Sequence, residues 1–133
     1  MHVVIVGAGA MGSRFGAALV DGGAQVTLVD VWREHVEVIN SRGLEVIRGA
    51  DGKAATYRVR AVTEPSDAGA ADIIMLFTKT YNTEQAASSV RRLLTDRSWV
   101  ITLQNGLGNR ETIARILPEK RVLAGTTNVP SDI

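Results

Sequence analysis

The stretch Val3-Val4-Ile5-Val6-Gly7-Ala8-Gly9-Ala10-Met11-Gly12 begins as an apolar run and breaks into glycines, and a second, largely apolar run from Val26 to Val29 ends on Asp30. The glycine spacing alone is weak. It gains force because it follows a strand pattern, opens a helical one, and precedes an acid at the distance at which a second strand would end. Each part has a mechanical reason. Gly7 permits the tight turn out of the strand, Gly9 leaves room for a diphosphate, and Gly12 lets the new helix pack close to the sheet. Ala8, Ala10 and Met11 complete the loop. The unpaired N–H groups of the first helical turn, at the positive end of the helix dipole, attract anions. The stretch implies a dinucleotide site.

Working outward, strand and helix patterns alternate along the chain, as in a parallel sheet covered by helices on both faces. The pattern predicts a strand over His2–Val6 and a helix from Ala10 with Met11, Phe15, Ala18 and Leu19 on one face, stopped at Asp21-Gly22-Gly23. A strand over Gln25–Val29 follows, then a helix from about Trp32 that places Trp32, Val36 and Ile39 together and ends near Gly43. Leu44–Arg48 and Thr56–Val62 read as two strands joined by an Asp-Gly hairpin at Ala50-Asp51-Gly52-Lys53. Tyr57, Val59 and Ala61 alternate with Arg58 and Arg60, the period of a half-exposed strand.

Beyond a loop at Glu64–Ala70, the run Asp72–Phe77 is almost wholly apolar, as for a strand buried on both faces. A helix over Asn82–Leu94 would bury Ala86, Val90, Leu93 and Leu94. Ser98–Leu103 is the next strand, Asn109 caps a short helix carrying Ile113, Ile116 and Leu117, and Arg121–Gly125 begins one more strand. The fold class is α/β: a Rossmann-type, doubly wound, mainly parallel sheet with a β-hairpin insertion.

Composition narrows the functions. The chain has 133 residues, one domain's worth, with 45% hydrophobic and 22% charged residues. A formal charge of +1 gives no reason to invoke nucleic acid or a membrane surface. The absence of cysteine removes disulfide and thiolate–metal chemistry, and no metal-ligand spacing appears. No apolar run approaches the roughly 20 residues that cross a bilayer. No leader pattern precedes the first strand, so the reading is cytoplasmic.

Ligands of open parallel sheets bind beyond the carboxyl ends of the strands. The glycine loop, Asp30 to Arg33, Thr78-Lys79-Thr80 and Gln104 to Asn109 all fall at such ends. Asp30 is suited to accept hydrogen bonds from ribose hydroxyls, and its charge opposes a 2′-phosphate, which favours NAD; otherwise it only caps the helix that follows. Arg33, one turn into the next helix, either pairs with a 2′-phosphate, favouring NADP, or is a solvated surface arginine. The position of Asp30 at the strand end inclines the reading to NAD. Lys79 emerges where it could hold a carboxylate or a ribose hydroxyl, unless it is merely solvated. Asn105 offers two donors and an acceptor to a substrate or ribose hydroxyl, or serves only the Asn-Gly turn. His2 and His35 are given no role: one opens a strand, far from its carboxyl end, and the other lies on a helix.

Taken together, these segments resemble the ketopantoate reductases (2-dehydropantoate 2-reductases). The resemblance runs through the glycine loop with Ser13, the Asp-Gly hairpin, Phe77-Thr78-Lys79-Thr80-Tyr81-Asn82-Thr83, Leu103-Gln104-Asn105-Gly106-Leu107-Gly108 and Leu123-Ala124-Gly125-Thr126-Thr127. It implies NAD(P)H-dependent reduction of a small 2-oxo acid to a D-2-hydroxy acid, the step that serves pantothenate biosynthesis. Lys79 and Asn105 would contact both cofactor and substrate. The family's general acid is a lysine on a helical C-terminal domain, assisted by a glutamate there. Family members are about twice this length, so the chain reads as a nearly complete nucleotide-binding domain over residues 1–133. By itself it is expected to bind cofactor and turn over little. A homodimer is left open.

Two departures keep the substrate open. Many relatives carry a histidine and a small residue where this chain has Asn128-Val129-Pro130-Ser131, and Asp30 with Trp32 replaces the basic residue of NADPH-using members. Reductases of bulkier 2-oxo acids, similar to D-mandelate dehydrogenases, form one alternative. A stand-alone NAD-sensing module of the potassium-transporter type forms another, although such modules lack the hairpin and have no use for Lys79 or Gln-Asn-Gly-Leu-Gly.

Overall fold

The computed structural model describes residues 1–47 and 52–128. The first elements match the sequence reading: β1 (His2–Val6), α1 (Ala10–Asp21), β2 (Gln25–Val29) and α2 (Arg33–Arg42). Then come β3 (Leu44–Ile47), β4 (Ala54–Tyr57), β5 (Arg60–Val62), β6 (Ala71–Leu76), α3 (Thr83–Ser89), β7 (Leu94–Thr102), α4 (Asn109–Ala114) and β8 (Val122–Ala124). Six strands form one parallel sheet in the order β5-β2-β1-β6-β7-β8, and β3 and β4 pair antiparallel beside it. The architecture is Rossmann-like and doubly wound, with the small hairpin that the sequence indicates.

Period-two alternation sends successive residues of β1 to opposite faces. Val4 and Val6 pack with Ile74, Leu76, Val90, Val100 and Ile113 beneath α3 and α4. Val3 and Ile5 pack with Ala17, Leu28, Val36, Ile39 and Leu44 beneath α1, α2 and the hairpin. Both faces of the central strands are thus buried, which explains why β1 and β6 read as continuous apolar runs.

Several local expectations are corrected. The single strand Thr56–Val62 is two: β4 pairs with β3 up to Tyr57 opposite Leu44, where β3 begins, and β5 then joins the main sheet with Arg60 opposite Thr27. The chain changes partner because β3 offers nothing opposite Arg58. The inward–outward alternation of residues 57–61 nonetheless holds, with Ala61 buried and Arg58 and Arg60 exposed. Ala50 and Asp51 of the hairpin turn lie outside the described residues. The helix predicted to reach Leu94 ends at Ser89, tightens into a 3-10 turn over Arg91–Leu93, and releases Leu94 to pair with Ala71. Ala18 is exposed because Gly12, Gly16 and Ala17 form the face of α1 that meets the sheet. Trp32 is also turned outward, 57% exposed, and stacks on His35.

The edge strand β5 is finished by a side chain. The amide of Asn40 on α2 donates to Ala61 O and accepts from Ala61 N, both at 2.9 Å. A primary amide has the donor–acceptor pattern of a neighbouring peptide, so Asn40 substitutes for one. This caps an edge that would otherwise present unpaired backbone groups.

Candidate functional site

The chain runs from β1 outward to β2 and β5, and from β6 outward to β7 and β8, so strand direction of travel reverses between β1 and β6. Open α/β sheets bind ligands in the crevice at this place. Gly7 leaves β1 with φ +102°, a left-handed conformation that favours glycine, and a Cβ there would sit 3.0 Å from the backbone of Phe77. A Cβ on Gly12 would collide with the carbonyl oxygen of Gly7, so the start of α1 lies directly against the loop. Gly9 is the N-cap of α1, no side chain caps it, and the first turn carries no acid. A helix N-terminus left in this state is a positive, donor-rich surface.

Two cavities lie beyond the strand ends, one lined by Gly7 of the glycine loop and the next by Met11 in the first turn of α1. One, of about 270 Å³, is lined by Gly7, Asp30, Val31, Glu64, Thr78 and Gln85, among others. The other, of about 230 Å³, is lined by Met11, Thr78, Lys79, Gln104, Asn105 and Thr127, among others. Thr78 belongs to both. Ala8, Gly9, Ala10 and Asp30 also face a cavity of about 680 Å³ on the other side of the loop, against α2 and β3. Thus Gly7 and Asp30 share one cavity, and Met11, Lys79 and Asn105 share the next. Arg33 is exposed and lines none of the three.

The Asp30 carboxylate is held by the protein itself. Oδ2 accepts from the N–H of Ala8 at 2.7 Å and Oδ1 from the N–H of Trp32 at 2.9 Å. Each oxygen retains a lone pair for a ligand hydroxyl. Asp30 is therefore both a latch on the glycine loop and a candidate ribose acceptor. His35, given no role in the sequence reading, sits 2.9 Å from the carbonyl oxygen of Ala8 through Nε2. Its position on α2, a turn beyond Asp30, was the available signal. His2 is at the opposite end of β1, bonded to Ala70 O and Thr27 Oγ1.

A second network joins the loops after β6 and β7. Gln104 donates through Nε2 to Thr78 O and Thr83 Oγ1, and its Oε1 accepts from Thr102 Oγ1. Asn109 does not cap α4: Gly108 is the N-cap, and the Asn109 side chain, 5% exposed, turns inward. Its Nδ2 donates to the carbonyl oxygens of Asn105 and Gly106, and its Oδ1 accepts from Thr83. Thr80 Oγ1 donates to Asn105 O as well, at 2.9 Å. These contacts engage the Asn105 backbone carbonyl rather than its side-chain amide, and they bring Asn105 and Lys79 to one cavity. Among the described residues, no group of three His, Cys, Asp or Glu is placed to hold a metal ion. Nor is any helix there long and apolar enough to cross a membrane.

Residues 3–132 match the family model described as Ketopantoate reductase PanE/ApbA. The chain belongs to the ketopantoate reductase family. It is 36% identical over 127 residues to the 2-dehydropantoate 2-reductase of Lactococcus lactis subsp. lactis, covering 96% of this chain and 41% of that protein. It is 39% identical over 127 residues to the one of Halobacterium salinarum, with the same coverage of 96% and 41%. The chain therefore spans about two fifths of the length of these ketopantoate reductase relatives. Among solved structures, D-mandelate dehydrogenase with NADH and anilino(oxo)acetate is similar at a TM-score of 0.90 and 34% identity, covering 98% of this chain and 41% of that one. The 2-dehydropantoate 2-reductase from Geobacter metallireducens GS-15 is similar at a TM-score of 0.88 and 30% identity, covering 100% and 43%.

Proposed function

We propose that this chain is the dinucleotide-binding domain of an oxidoreductase that reduces a 2-oxo acid to a D-2-hydroxy acid with NADH or NADPH. The observation that carries the proposal is the glycine loop that opens α1 without a cap: its Gly7 lines one cavity, its Met11 lines the next, and the two cavities share Thr78. That arrangement suits a ligand with an anionic centre and a ring system at each end. The diphosphate would lie on Gly7 to Gly12, adenosine in the cavity of Asp30 and Val31, and nicotinamide toward Met11, Lys79 and Asn105. A bound reduced nicotinamide supplies hydride. The residues of this chain would bind and orient: Lys79 with its ammonium on a carboxylate or ribose hydroxyl, Asn105 with its amide on a hydroxyl or ketone oxygen. No proton donor for the new hydroxyl is assigned in this chain, and we place that group in the further segment seen in longer relatives.

Asp30 favours NAD over NADP, because a carboxylate at the ribose opposes a 2′-phosphate and Arg33 lies outside the cavities. A second reading within the class, a reductase of a bulkier or aromatic 2-oxo acid, is supported by the similarity to D-mandelate dehydrogenase bound to NADH. Calorimetric titration of the chain with NADH and NADPH tests the proposal. Binding of NADH several-fold tighter than NADPH is expected, and a chain that binds neither refutes the reading.

A further inference from the structure

We infer that His35 is a positioning residue that aims the first anion-binding N–H of the glycine loop; the inference rests on the dinucleotide reading given above. Ala8 is 1% exposed, and both of its backbone polar groups are gripped by side chains. Its N–H donates to Asp30 Oδ2 at 2.7 Å, and its carbonyl oxygen accepts from Ser13 Oγ and from His35 Nε2, each at 2.9 Å. The acceptor is a carbonyl, so Nε2 of His35 carries the proton. Trp32 stacks on the imidazole with ring centroids 5.3 Å apart and planes at 23°, which restrains the ring that makes the bond.

The consequence follows from peptide geometry. A trans peptide is planar, with its C=O and the following N–H pointing in opposite directions. Holding the Ala8 oxygen toward His35 and Ser13 therefore turns the N–H of Gly9 away from both side chains, where the dinucleotide reading would put the diphosphate. The preceding peptide obeys the same rule. With the Ala8 N–H held by Asp30, the Gly7 oxygen points the other way, to the place where a Gly12 Cβ would meet it. Two side chains of the segment after β2, Asp30 and His35, thus orient successive peptides of the loop. A donor fixed before binding costs no reorganisation when the anion arrives.

The test compares His35→Phe, which keeps a ring for Trp32 and removes the donor, with His35→Gln, whose amide nitrogen can reach the position of Nε2. Dissociation constants for NADH and ADP-ribose are measured by calorimetry and that for adenosine by ligand-observed NMR, on the 133-residue chain. The expected result is a rise of about fivefold to tenfold for NADH and ADP-ribose in His35→Phe, the scale of one hydrogen bond. His35→Gln should stay within about twofold of the parent, and adenosine affinity should not change in either variant. A His35→Phe chain that binds NADH as tightly as the parent overturns the inference alone. So does an equal loss for adenosine, which would assign the ring to the nucleoside subsite or to folding. A parent chain that binds no NADH defeats the dinucleotide reading and this inference with it.

Discussion

The carboxylate of Asp30 accepts the backbone N–H of Ala8 at 2.7 Å, so the acid at the end of β2 is fastened to the loop after β1. One residue thereby shapes the glycine loop and presents a charge to the adjoining cavity. One substitution tests both roles. Asp30→Ala should weaken NADH binding by about tenfold, because both the latch and the ribose acceptor are lost. NADPH should lose less, since the charge that opposes its 2′-phosphate is gone as well. Calorimetry on both cofactors reads the ratio. If the ratio does not move, Asp30 does not select the cofactor, and Arg33 becomes the residue to test.

Gly12→Ala places a methyl group on the carbonyl oxygen of Gly7, where backbone faces backbone and no flexible side chain can yield. The loop must shift, and dinucleotide affinity should fall by more than about tenfold, since displaced donors no longer meet the diphosphate. Gly22→Ala serves as the control for a general glycine effect, since its φ of −77° suits any residue and a Cβ there meets nothing closer than 3.4 Å. Equal binding by Gly12→Ala and the parent would contradict the loop assignment.

Gln104 crosses from the end of β7 to Thr78 and Thr83, and its loss leaves the Thr78 carbonyl and the Thr83 hydroxyl short of a donor. Gln104→Ala should lower unfolding free energy by about 1–3 kcal/mol in urea titrations. Gln104→Glu should be no better, because an acceptor then faces the Thr78 carbonyl. A Gln104→Glu chain as stable as the parent would show that the network does not work as drawn.

Asn40 completes the edge of β5 with a paired donor and acceptor on Ala61, which is buried. Asn40→Ala should cost about 1–3 kcal/mol, the range for stranding buried backbone groups. Asn40→Asp keeps the acceptor for the Ala61 N–H but sets a second oxygen against the Ala61 carbonyl, so it should be no more stable than Asn40→Ala. Hydrogen exchange at the Ala61 amide offers a local check: it should speed up in Asn40→Ala and remain slow in Asn40→Asp.

Asn105 and Lys79 should behave differently from these structural residues. In a catalytically complete protein carrying this domain, Asn105→Ala should reduce kcat by about 10²-fold, the scale of a misplaced reacting group. Dinucleotide affinity should remain within about threefold. A loss confined to cofactor affinity would move Asn105 from substrate orientation to cofactor binding alone.

Much of this protein was legible locally. β1, α1 and β2 begin and end where apolar period, glycine punctuation and charge place them, because each boundary is set by residues within a few positions of it. The misreadings share another cause. The strand expected over Thr56–Val62 divides because Tyr57 pairs with Leu44 while Arg60 pairs with Thr27. Asn109 has the chemistry of a cap, and it turns inward because the carbonyls of Asn105 and Gly106 and the hydroxyl of Thr83 meet there. Trp32 has the apolar surface of a core residue, yet it stacks outside on His35.

The sequence by itself determined the doubly wound α/β plan, the glycine loop after its first strand and the segments carrying Asp30, Lys79 and Asn105. Those features rest on backbone sterics and on periodicities of two and 3.6, which act between near neighbours. Only the tertiary structure decided that Asp30 and His35 hold the Ala8 peptide from both ends and that Gln104 and Asn109 bind the two outer loops together. Such bonds join residues more than twenty positions apart, or fix one loop carbonyl against a turned-in side chain. Their partners meet only when the sheet has set its strand order.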